Sequence, residues 1–200
     1  MSAYWIRGLA YVALAFVIAQ VVLLEAQHFP PLERFSEFGY TEFAQSIVLG
    51  LTVAMLVVAA LRSREPAPLL WCLALGFAVL LVRENDQVLE LFLPHGVWKY
   101  PAGVLALAAA FVFFRHRRAV LDELVALAGT TAFGVLLIGF TTLVFSRLFG
   151  RGKFWQAVME ERYWRPVKNA AEEGIELYAL GLLAAGIVEL LIARRKLHHG

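Results

Sequence analysis

Six apolar stretches separated by polar breaks divide this chain. The first runs from about Trp5 to Leu24 and the second from about Phe43 to Leu61; the third starts after Pro68 and stays apolar to Val82. The fourth covers about 97–114, the fifth about 124–145 and the sixth about 174–192. A helix crossing a bilayer needs about 20 predominantly apolar residues. Leu69–Val82 and Pro101–Phe114 are uninterrupted for only 14 residues each, so those two helices are short or continue through polar residues. The pattern predicts an all-α, polytopic membrane helix bundle: one integral-membrane domain over residues 1–200, with six transmembrane helices arranged as three hairpins.

The polar breaks are unequal. Linkers at about 25–42, 83–100 and 147–173 are long, whereas the turns between hairpins are short and basic. Within the third linker, "KFWQAVMEERYWRP" places Phe154, Trp155, Val158, Met159 and Tyr163 on one helical face and Lys153, Gln156, Glu160 and Glu161 on the other. That predicts a short amphipathic helix lying in the interface between helices 5 and 6. Pro166 biases Arg165 away from helical geometry and marks the end of that element. The first apolar run has Arg7 before it but no small-residue cleavage site after it, so it reads as a retained helix and not a removed signal.

Basic residues set the expected orientation. Arg7, then Arg62 and Arg64, then Arg115, Arg117 and Arg118, and finally Arg194, Arg195 and Lys196 all fall on one side of a six-span bundle. The positive-inside rule makes that side cytoplasmic, with both termini there. A bacterial inner membrane is the expected location. Twelve of the sixteen acidic residues fall on the opposite, periplasmic side, which is therefore where polar chemistry is to be sought.

Composition agrees with the pattern and narrows the function. Sixty per cent of the 200 residues are hydrophobic and 17% charged, with a mean hydropathy of +0.69; soluble domains carry more charge. A net charge of +2, thinly scattered, offers nothing to nucleic acid. One cysteine, Cys72, excludes an internal disulfide. No apolar span has an interior histidine for haem or a mid-membrane lysine for retinal, and there is no phosphate-binding glycine loop for a nucleotide. The cofactor question is otherwise open.

The candidate chemistry lies in three outer stripes. If the third helix continues past Val82, Arg83, Asp86, Gln87 and Glu90 share one face at i, i+3, i+4 and i+7, with Glu84 beside them. Asn169, Glu172, Glu173 and Glu176 repeat that spacing as the sixth helix enters the membrane, and Glu42 with Gln45 opens the second. His28, His95, Lys99 and Lys168 lie within reach on the same side. Charges inside the outer hydrocarbon layer are costly and need partners, so the stripes are expected to meet.

Three functions fit that expectation. The first is a binding or assembly protein whose cluster (Glu42, Arg83, Glu84, Asp86, Glu90, Lys99, Asn169, Glu172, Glu173, Glu176) holds a cation, a lipid head group or a partner membrane protein, a second copy included. The second is an enzyme acting on a lipid or isoprenoid, with Asp86, Glu173, Glu176 and His95 as catalytic candidates. For a metal, the candidates are Glu42, Asp86, His95, Glu173 and Glu176. The third is a charge clasp without ligand, or a proton-coupled transporter using Glu90 and Glu176. A clasp pairs its charges and leaves no opening; an enzyme needs carboxylates converging on one. Glu33, Glu37, Glu160 and Glu161 are expected to be simply solvated.

Overall fold

The computed structural model describes residues 2–30, 34–35 and 38–199, and among these it is helical without a strand. The helices are α1 (Ser2–His28), α2 (Tyr40–Arg62), α3 (Pro68–Glu84), α4 (Asp86–Glu90), α5 (Lys99–Arg115), α6 (Arg117–Leu127), α7 (Thr131–Phe149), α8 (Gly152–Met159) and α9 (Arg165–His199). Four of them, α1, α2, α7 and α9, are long and apolar enough to cross a membrane. This is a membrane protein. The chain divides into two compact units, residues 1–45 with 136–185 and residues 46–135 with 186–200; α2, α7 and α9 contribute to both.

In the first unit α9 is the core. Leu177, Ala179 and Leu180 are buried to 3% exposure or less, and glycines let neighbouring helices press close. A Cβ on Gly139 of α7 would lie 3.0 Å from the Leu183 backbone nitrogen, and one on Gly181 would lie 2.9 Å from Ile18 of α1. Small residues at such crossings gain packing where lipid offers no hydrophobic drive. The far side of α1 shows Trp5, Leu9, Val12 and Phe16 exposed, a helical stripe that suits lipid tails. After α7, the α8 helix is pinned by Trp155, whose indole N–H donates to the Phe149 carbonyl at 2.9 Å. Phe154 and Val158 stay exposed.

In the second unit α3 packs along α5. Leu69, Leu70, Ala74 and Phe77 of α3 are buried, while Tyr100, Val104, Leu107, Phe111 and Phe114 run exposed down α5 at three- and four-residue steps. Such a stripe in water would be a large apolar patch; in a bilayer it is the solvated face.

Three boundaries depart from the sequence pattern. The third helix does not carry its phase past Val82 through Glu90. It stops at Glu84, because Asn85 (φ −101°, ψ 23°) turns its side-chain amide back to the Leu81 carbonyl at 2.9 Å, and α4 starts anew at Asp86. Asn competes in this way for its own helix's carbonyls. The fifth stretch is two helices, α6 and α7, separated at Ala128–Thr130, where the Thr130 hydroxyl and amide both bond the Leu127 carbonyl. Asp122 and Glu123 therefore lie within α6. The sixth helix begins nine residues before Gly174, at Arg165. Pro166 falls in its first turn, where the missing N–H has no intrahelical partner to lose.

Candidate functional site

Two polar groups in the first unit tie helix ends together. The first forms where α1 meets α2. Glu25, in the last turn of α1, is fully buried. Its carboxylate accepts the Phe35 amide at 2.8 Å, the Thr41 amide at 2.7 Å and the Thr41 hydroxyl at 2.5 Å. Thr41 is the second residue of α2, so the carboxylate caps that helix's orphan donors and meets the positive end of its dipole. A Cβ on Gly39 would collide with the same carboxylate. Phe35 is held in a left-handed conformation (φ 55°), its amide taken by Glu25 and its carbonyl by the Asn169 side-chain amide at 3.0 Å.

The second group is on α9. Glu176, 3% exposed, pairs with Arg147 from the last turn of α7, and Arg147 also lies 3.8 Å from Glu172. Lys168 closes on Glu172 from one turn earlier, and its Nζ lies 3.3 Å from Asn169 Oδ1. Gly150 leaves the space that Glu172 fills. Glu173 turns to α2, where the buried Gln45 amide donates to its carboxylate at 3.1 Å and to its carbonyl at 3.2 Å. Gln45 Oε1 has no hydrogen-bond partner among the described residues.

The sequence-predicted residues thus sort by unit. Asn169, Glu172, Glu173 and Glu176 do meet, around Arg147, Lys168 and Gln45. Glu42 is half-buried and also engaged. Arg83, Glu84, Asp86, Glu90, His95 and Lys99 belong to the other unit. There, Glu90 accepts the Gly96 amide at 2.7 Å and lies 2.6 Å from His95 Nδ1. The Gly96 amide first, and the His95 ring next, hold the Glu90 carboxyl below the usual carboxylate range. His95 is itself 92% exposed, and Lys99 sits 6.0 Å from the Trp98 ring centroid. The metal candidates are divided between the units. Among the described residues no three His, Cys, Asp or Glu side chains gather as ligands.

Sequence reasoning missed the two residues that organise the site. Glu25 was one of many outer acids, with nothing local to mark it as buried. Arg147 was counted only as the start of a linker; the signal was its position as a lone cation ending the apolar run "GFTTLVFSR". No family model, characterised protein or solved structure matches this chain. The geometry stands by itself.

Proposed function

We propose that the chain is a binding or assembly protein of a bacterial inner membrane, with six crossings in three hairpins and both termini cytoplasmic. Its outer acids and arginine work as a charge clasp, not as a catalytic centre. What carries the reading is the pairing of Glu176, nearly inaccessible, with Arg147, which also reaches Glu172. A general acid or base needs a face open to substrate, and the arginine occupies that face. With the α9 acids engaged in this way, contact with lipid or partner protein falls to other surfaces.

Six crossings require that α3 and α5 span as well. At 17 residues each they are about 25 Å long, against about 30 Å of hydrocarbon. A deficit of that size is met by local thinning and by flanking residues that reach for the interface. Arg83 and Arg115 stand at their ends. The α4–α5 connection then faces the periplasm. With Cys72 replaced by Ala, Phe92→Cys should react with a membrane-impermeant maleimide added outside intact cells. Labelling only after lysis would leave four crossings and remove the middle hairpin from the bilayer.

The clasp is tested by a double-mutant cycle. Arg147→Met and Glu176→Gln should each destabilise the protein by about 2–3 kcal/mol, below the range for a fully buried pair because Arg147 is 37% exposed. The double variant should lose at least about 1 kcal/mol less than the sum. Additive effects, together with a small-molecule adduct in native mass spectra that Glu176→Gln abolishes, would replace the clasp by a binding site.

A further inference from the structure

The second unit holds a cavity of about 680 Å³ where the C-terminal ends of α2 and α9 meet the α2–α3 connection. Its volume is that of a small-molecule site, about 300–1,000 Å³. Four arginines line it: Arg62, Arg64, Arg194 and Arg195, opposed on the lining by Glu65. Three of them, Arg62, Arg64 and Arg195, are exposed, whereas Arg194 is buried to 9%. Its Nε lies 3.0 Å from Glu123 of α6, yet among the described residues neither that nitrogen nor the facing oxygen has an aligned hydrogen-bond partner. Even against both carboxylates the arginines leave an excess of positive charge.

Apart from Ser63, the rest of the wall is apolar: Met55, Val58, Ala59, Leu70 and Leu191. Val58 is 44% exposed, and Leu61, one turn further along α2, is 69% exposed. The cavity wall therefore runs into a surface fit for lipid tails. A free inorganic anion would gain nothing from such a wall.

We infer that this cavity binds an anionic glycerophospholipid, with its phosphate on the arginines and its glycerol and first acyl carbons along Val58 and Leu191. Guanidinium groups suit the phosphate because they present paired N–H donors in a fixed plane. Basic pockets between membrane helices on the cytoplasmic side hold anionic head groups for the same reason. The inference shares no residue with the clasp, and it stands or falls separately.

The full chain, purified in a mild non-ionic detergent, is titrated with phosphatidylglycerol or phosphatidylcholine and followed by native mass spectrometry. One phosphatidylglycerol per chain should be retained about tenfold or more over phosphatidylcholine. Arg62→Gln combined with Arg195→Gln should lower retention by a similar factor. Ala59→Trp, which fills the cavity without changing charge, should do the same. Millimolar inorganic phosphate should not displace the lipid. Equal retention of the two lipids, unchanged retention in the variants, or displacement by phosphate would each overturn the inference, the last by making the site one for a free anion.

Discussion

Replacing Glu25 by Gln changes one oxygen to an amide nitrogen at the most buried carboxylate of the first unit. Three donors point at that carboxylate. If the remaining oxygen stays with Thr41, the new amide faces the Phe35 N–H, donor against donor. One charge-assisted hydrogen bond, worth about 1.5–3 kcal/mol, is lost, and the two to Thr41 fall to neutral strength, about 1 kcal/mol less each. A neutral amide is cheaper to bury than a carboxylate and returns part of this. The net expectation is a loss of about 2–4 kcal/mol, and somewhat more for Glu25→Ala, which strands all three donors. Thr41→Val removes only the hydroxyl and should cost about 1–2 kcal/mol. Equilibrium unfolding in mixed micelles at increasing detergent denaturant, read by far-UV circular dichroism, gives the energies. Amide exchange at Thr41 and Phe35 gives the location, since both should accelerate in Glu25→Gln. If Glu25→Gln lies within about 1 kcal/mol of wild type and those amides stay protected, the buried cap contributes nothing and the reasoning fails.

Two further outcomes follow from the same geometry. Gly139→Ala should cost about 1–3 kcal/mol, because its Cβ would press on the Leu183 backbone nitrogen; Gly50→Ala, inside α2 with open space around it, should cost nothing and gain up to about 1 kcal/mol in the same unfolding assay, and equal costs at the two sites would refute the close crossing. The lowered Glu90 carboxyl gives a pH dependence. The folded state binds this proton less readily than the unfolded chain, so its contribution is present above the ordinary carboxylate range and disappears as pH falls through the lowered folded value. Relative to its intrinsic exchange rate at each pH, the Gly96 amide should stay protected through the ordinary carboxylate range and lose that protection only below it, and an unprotected amide at neutral pH would detach it from Glu90.

The apolar periodicity carried the helices long and apolar enough to cross a membrane, because apolar length is a property of each segment by itself. Trp5–His28, Tyr40–Arg62 and Thr131–Phe149 answer to stretches visible in the sequence, and so does the amphipathic α8. The breaks were less legible. Asn85 stops α3 through a side-chain hydrogen bond that a hydropathy pattern does not register. Pro166 reads locally as a terminator yet opens the longest helix. At the site, the α9 spacing did announce that Asn169, Glu172, Glu173 and Glu176 share a face, because helical register is local information. Their partners were not announced. Arg147 and Gln45 come from helices 29 and 128 residues away along the chain, and Glu25 is buried by a loop whose path no spacing encodes. The arginines near α2 and α9 were legible as topology signals, which concealed that they line a cavity.

The continuity of α9 has a consequence for biosynthesis. This one helix supplies residues 165–185 to one unit and 186–199 to the other, and it follows every other helix described here in the order of translation. Until it emerges, Arg147 and Gln45 lack the acids they bind, and Glu123 lacks Arg194. A nascent chain stalled in the α8–α9 connection would thus present the insertion machinery with unsatisfied charge in both units at once. Completion of this single helix brings the partners of Arg147, Gln45 and Glu123 into both units.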